Sequence, residues 1–167
     1  MASFKIKGPF DIRYEKRRGG RALVFDEFWA EHSPAHELAD ECGCYVFAVK
    51  TRRGLTPVYV GKAAKTFKQE TFNPQNKYKY TDGFSEYGVG KPVIFFVVHP
   101  PQRGRRNEKH IEEVEDFLIQ TGAAKNFRLQ NVRGAQTPEW SIQHVVRGGK
   151  GKPTDVERDF RRLFGLA

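Results

Sequence analysis

The run Val93-Ile94-Phe95-Phe96-Val97-Val98 is apolar throughout, and Pro92 precedes it while Pro100 follows just beyond. Side chains of a strand alternate between two faces, so a strand with no polar residue belongs in the middle of a sheet. The chain must therefore supply neighbours for this strand. Upstream, Tyr45 to Lys50 is strand-forming, Thr51-Arg52-Arg53-Gly54 reads as a turn, and Val58-Tyr59-Val60 follows as a second strand.

The remaining segments fall around these strands. Residues 1–21 read as an irregular or strand-like basic lead, broken by Pro9, Gly19 and Gly20 and charged by Arg13, Lys16, Arg17, Arg18 and Arg21. Residues 24–31 read as a short helix covering the sheet with Phe25, Phe28 and Trp29. Lys62 to Phe72 is helix-compatible and stops at Asn73-Pro74, and residues 76–90 read as a surface loop. Arg105 to Gln120 reads as a helix with Gly122 at its C′ position. A short strand around Trp140–Val146 and a final helix near Thr154–Phe164, with Thr154 and Glu157 as a capping box, complete the chain. No internal repeat and no dividing linker is evident.

Composition narrows the function classes. With 167 residues, 38% of them hydrophobic and 13% aromatic, one domain with a sizeable core is expected and an acidic disordered chain is excluded. No apolar run approaches the roughly 20 residues of a membrane span, and the start lacks a signal-peptide stretch. Two cysteines point to a reducing cytoplasm rather than a disulfide scaffold. The net charge of +9 suits a polyanionic partner, although basicity alone also serves solubility.

The hairpin carries the chemistry-bearing residues. If Arg52, Arg53 and Gly54 form a three-residue loop with Gly54 in the left-handed region, Phe47 faces Tyr59. Tyr45, Phe47 and Tyr59 then share one face, with Tyr45 and Tyr59 as diagonal neighbours about 7–8 Å apart. A two-residue loop would slip the register and separate them. On the helix at 105–120, Ile111, Val114 and Leu118 form an apolar stripe with Glu115 at its edge, while Glu113 and Asp116 point away. A carboxylate beside a buried face costs desolvation unless it is paired or bound to a metal; the plain alternative is a glutamate that snorkels or pairs with an arginine. Glu108 and Glu112 lie on the adjoining side as reserves.

Gly43-Cys44-Tyr45 and Tyr59-Val60-Gly61-Lys62, followed by Val114-Glu115-Asp116-Phe117-Leu118-Ile119, resemble the signatures of the GIY-YIG nuclease family. The order strand, strand, helix, strand, helix is similar to that family's core as well. The resemblance spans roughly residues 43–131 of a single domain 1–167, with accessory segments 1–42 and 132–167. It implies an α+β fold, a small and mostly antiparallel sheet with helices packed on it. It also implies an endonuclease that hydrolyses phosphodiester bonds with one divalent cation, Mg²⁺ or another such as Mn²⁺, held by Glu115. In that reading Tyr45 activates water, Tyr59 positions water and phosphate, and Lys62 lowers the neighbouring tyrosine's pKa. Double-stranded DNA is the expected partner, with the chain cytoplasmic and a homodimer where both strands are cut.

One departure, one match with two candidates and three further clusters bear on that reading. The family places an arginine on the helix after the second signature, but none stands between Gly61 and Arg103; Lys68 is the stand-in, with Lys65 and Lys77 in reserve. Lysine supplies charge without a planar fork. The family's late asparagine matches either Asn126, by distance from Glu115, or Asn131, by its local Gln-Asn-Val context. The alternative from another class is a nucleic-acid-binding protein with the same fold and no catalysis. A poorer one is a zinc module built on His32, His36, Cys42 and Cys44. Lys77-Tyr78-Lys79-Tyr80 interleaves charge and rings, as base-stacking surfaces do. The C-terminal basic residues Arg147, Lys150, Lys152, Arg158, Arg161 and Arg162 could follow a DNA backbone or simply solubilise a helix.

Overall fold

A computed structural model describes residues 1–101, 106–124 and 139–166 of the chain, the side chains of 122–124 excepted. It is a mixed α+β fold built on a five-stranded sheet in the order β5-β4-β6-β1-β7. The strands are β1 (Ala2–Asp11), β4 (Gly43–Thr51), β5 (Gly54–Ala63), β6 (Lys91–Val98) and β7 (Trp140–Ile142). A separate ribbon pairs β2 (Arg13–Arg17) with β3 (Gly20–Val24). The helices are α1 (Phe67–Glu70), α2 (Pro74–Ser85), α3 (Glu108–Ala124) and α4 (Asp155–Leu163), and a 3-10 turn spans His36–Leu38. No described helix is long and apolar enough to cross a membrane.

β6 takes the central place its sequence demands, with β4 antiparallel on one side and β1 antiparallel on the other. The basic lead is thus not accessory to the sheet: β1 lies next to β6, and β7 joins it in parallel through Ala2–Phe4. Alternation along β4 and β6 divides the core into two layers. Cys44, Val46, Ala48, Phe95 and Val97 face α3 and α4, meeting Ile111, Val114, Leu118, Phe160 and Leu163. Tyr45, Phe47, Val49, Ile94 and Phe96 face an aromatic layer made by Phe28, Phe67, Tyr80 and Phe84.

Several local expectations give way. The segment 62–72 is not one helix, because Lys62 and Ala63 continue β5 by pairing with Cys44 and Gly43. Only the single turn α1 follows, with the Thr66 hydroxyl accepting from the Gln69 amide. The expected loop at 76–90 begins as α2 instead. Asn73-Pro74 starts a helix rather than stopping one: the Asn73 side chain accepts from the Asn76 amide, and Pro74 sits where no amide is needed. Residues 26–35 form successive turns rather than a helix, with Glu27 at a φ of 64°. Their aromatics still reach the layer expected of them, Phe28 lying against Phe72 and Phe96. Gly122 falls within α3 rather than beyond it. The capping box of Thr154 and Glu157 is formed as read.

Gly43 has a structural duty. Its φ is +142°, and a Cβ there would stand 2.1 Å from the Val97 carbonyl oxygen of β6. Gly43→Ala should therefore cost about 2–4 kcal/mol of unfolding free energy, from backbone strain and overpacking together. Urea denaturation checks this.

Candidate active site

The hairpin places Tyr45 and Tyr59 on one face by a route different from a three-residue loop. The turn has two residues, Arg52 and Arg53, with Thr51 paired to Gly54, and Gly54 does carry a positive φ of +117°. That register alone would send Tyr59 to the wrong face. The ladder then shifts between Ala48↔Pro57 and Phe47↔Tyr59, leaving Val58 as one extra residue on β5. This bulge restores Tyr59 opposite Phe47. Val58 and Tyr59 consequently both pack toward the aromatic layer. The bulged Val58 fills a notch on α2: a Cβ on Gly83 would lie 2.2 Å from Val58 Cγ1.

The two rings stand 6.3 Å apart between centroids, inclined by 42°. Tyr45 is fully interior, and Gly61 makes room for it, since a Cβ on Gly61 would fall 2.5 Å from the Tyr45 ring and hydroxyl. Both glycines of the signatures thus answer to packing within the protein. Asn76, in the first turn of α2, ties the phenols together. Its Nδ2 donates to the Tyr45 hydroxyl at 2.7 Å, and its Oδ1 accepts from the Tyr59 hydroxyl at 3.2 Å. The same Nδ2 reaches the Glu70 and Thr71 carbonyls at 2.9 and 3.2 Å, which fixes the amide's orientation.

The sequence reading did not single out Asn76, because it placed residue 76 in a loop. Tyr80 joins the cluster, stacked on Phe47 at 4.5 Å and edge-on to Tyr59 at 5.6 Å. Its buried hydroxyl has no partner among the described residues. The cation that reaches the pair is Lys79, with Nζ 3.5 Å from the Tyr59 hydroxyl and 4.8 Å from its ring centre.

Burial separates the two phenols chemically. Tyr45 is held well above the ordinary tyrosine range, first by burial and then by the neighbouring Tyr59, against the pull of the Asn76 hydrogen bond. It therefore stays a neutral phenol near neutral pH. Tyr59 is half-exposed and opens onto a cleft of about 360 Å³ between β5 and α2, which Lys79, Asp82, Glu86 and Tyr87 also line. Tyr59 is thus open to solvent through this cleft.

The opposite flank of β5 carries the charged group. Lys62 pairs with Cys44 in the ladder and so faces α3, one step out of phase with Gly61 and Tyr45. Its Nζ lies 2.9 Å from Glu112 Oε1 and 3.7 Å from Glu115 Oε2. Glu115 is 19% exposed, and its pKa is raised by desolvation against the opposing pull of Lys62. The Glu112 hydrogen bond chiefly raises Lys62 in turn. Two carboxylates thus converge on one cation, and one or two carboxylate oxygens with water suit Mg²⁺. Carboxylates are the donor type a divalent ion takes, but here the Lys62 ammonium contacts both of them. Glu115 and the tyrosines lie on opposite faces of the edge strand, yet the Glu115 charge is still felt at Tyr45.

Other expected residues lie elsewhere. Lys68 is exposed on α1 and does not join the tyrosine pair. Lys77 lies over Phe25, at 5.6 Å. An arginine does reach the end of β5, but from the segment before α3: the Arg106 guanidinium donates to the Ala64 and Lys65 carbonyls. Asn126 and Asn131 lie outside the described residues. Glu113 is not simply solvated, since it accepts from the Trp140 indole at 2.9 Å. The four proposed zinc ligands do not converge. Cys44 donates to the Ile111 carbonyl at 3.3 Å, His36 bonds the Trp29 carbonyl at 2.9 Å, and His32 lies 3.9 Å from Glu27. Among the described residues no three His, Cys, Asp or Glu side chains are grouped to hold a metal.

Comparison with known family profiles, with curated proteins and with solved structures returns no match, so the likeness to GIY-YIG nucleases rests on the residues themselves.

Two outcomes test this geometry. Asn76→Ala, which leaves the buried Tyr45 hydroxyl unpartnered, should lower unfolding free energy by about 1–3 kcal/mol. A loss within the about 0.5 kcal/mol of an ordinary surface change would count against the Asn76 link. In an ultraviolet pH titration, the component missing from Tyr45→Phe should ionise above the ordinary tyrosine value of about 10.

Proposed function

We propose that this chain is a metal-dependent endonuclease of GIY-YIG type that hydrolyses phosphodiester bonds in double-stranded DNA at the β5 edge. One observation carries the reading: two phenols from adjacent strands converge on a single Asn76 amide beside a strand whose other flank presents Glu115 and Glu112. That combination offers a hydroxyl near the reacting phosphate and oxygen ligands for a cation, the two needs of assisted phosphodiester hydrolysis.

The difference in burial between the phenols exchanges the roles expected from sequence. Tyr59, reachable from the cleft, is the group in contact with attacking water and phosphate, and Lys79 beside it supplies positive charge to a phosphate oxygen. Tyr45 positions Tyr59 through Asn76 and stays neutral. Glu115, with Glu112 adjoining, would hold Mg²⁺ or Mn²⁺, which when bound supplies charge stabilisation at the phosphate and the leaving oxygen. Lys62 opposes the desolvation that raises the Glu115 pKa.

A non-catalytic nucleic-acid binder is the second reading, favoured by one observation: Lys62 already neutralises the carboxylates that a metal would need. Nicking of supercoiled plasmid separates the two. Wild type should nick in Mg²⁺ or Mn²⁺, and Tyr59→Phe should fall by about 10²–10⁴, the usual contribution of a side chain positioned for proton transfer. Glu115→Ala should lose nicking at any Mg²⁺ concentration, and Tyr45→Phe should retain more activity than Tyr59→Phe. DNA retention on a gel without nicking in either metal would establish the binder instead.

A further inference from the structure

The ribbon of β2 and β3 forms its own sheet, apart from the five strands. Its register runs from Arg13↔Val24 to Arg17↔Gly20, so Arg18 and Gly19 make the turn. Lys16, Arg17 and Arg18 are all exposed at this tip. Lys16 and Arg18 have no acidic partner among the described residues, and the one acid beside Arg17 is the exposed Glu15 at 3.5 Å. A tip of like charges repels itself and adds nothing to the core. The basic residues of α4 differ, because they are engaged within the protein. Arg158 meets Asp155 and the Pro153 carbonyl, Arg161 the Leu166 carbonyl, and Arg162 Asp159.

The ribbon's root is fixed. Tyr14 lies 5.7 Å from the Phe84 ring, and the Arg21 guanidinium sits 4.0 Å over the same ring. Arg21 also donates to the Tyr87 and Gly90 carbonyls. These contacts fasten the ribbon to the C-terminal end of α2, and that end of α2 also walls the cleft leading to Tyr59. The charged tip and the reachable phenol therefore belong to the same side of the sheet.

We infer that this ribbon is a clamp for duplex DNA, laid into the major groove with Lys16, Arg17 and Arg18 against the phosphates of its walls. A two-stranded ribbon fits a groove about 12 Å wide. Each lysine or arginine on a phosphate releases bound counterions, which gives the contact affinity without requiring sequence readout. The inference rests on the nucleic-acid reading above and deepens it: the clamp holds the duplex while the cleft receives its backbone.

The test is binding of a fluorescent duplex across a salt series in EDTA, so that cleavage plays no part. Lys16→Ala/Arg18→Ala is compared with wild type and with the charge-matched Lys150→Ala/Lys152→Ala. The clamp variant should bind more weakly, and its slope of log affinity against log salt should be shallower by about 2. The matched variant should change little, and all three should melt alike, since the four residues are exposed. Equal losses in both variants, no loss in the clamp variant, or a loss confined to duplex RNA or anionic vesicles would each overturn the clamp. A selective loss of duplex binding in the clamp variant, together with a wild type that nicks no plasmid in Mg²⁺ or Mn²⁺, would support the clamp while removing the nuclease reading.

Discussion

One extra residue in an edge strand governs the arrangement. Side chains along β5 alternate with period two, so the two-residue turn at Arg52-Arg53 would by itself present Tyr59 to α3 and Lys62 to the aromatic layer. Val58 reverses that parity for everything beyond it. The bulge lands in the hollow left by Gly83, where any larger side chain would meet Val58. An edge strand is also where such an insertion costs least, since only one neighbour's ladder is interrupted.

From that parity the division of labour across β5 follows. The aromatic side receives Tyr45, Tyr59 and Tyr80, with Asn76 as the polar element binding the first two. The α3 side receives Lys62, Glu112 and Glu115. Each face solves a different electrostatic problem. Buried phenols remain neutral and need only hydrogen bonds, whereas partly desolvated carboxylates require a cation close at hand. A strand one backbone thick separates the two solutions, and no further strand among the described residues pairs with its outer edge.

Parts of this were legible in the residues. The apolar run at Val93–Val98 announced the central strand, and the stripe Ile111, Val114, Leu118 put Glu115 at the margin of a buried face, where the structure has it. The capping box at Thr154 fixed the start of the last helix. Errors arose where one residue pattern serves two purposes. Asn73-Pro74 suits the end of one helix as well as the start of another, because asparagine tolerates turns and also caps, and proline both terminates and initiates. Reading it as an end hides α2, and with it the place of Asn76 beside the tyrosines. Lys62 and Ala63 look helical by propensity, yet ladder pairing with Cys44 and Gly43 overrides so weak a preference.

The amino-acid order by itself determined which segments are strands at the centre, which helix stripe is buried, and that two tyrosines flank one hairpin. Those are properties of local period and composition, and the hydrophobic effect enforces them wherever the segment lies. Tertiary structure alone decided that the tyrosines share a face, that burial sets Tyr45 apart from Tyr59, and that Lys62 rather than an arginine answers Glu115. Each of these depends on a contact between distant residues: Val58 with Gly83, Asn76 with both phenols, Lys62 with α3. Such contacts form only after the layers close, and no spacing along the chain encodes how far a ring will be desolvated once they do.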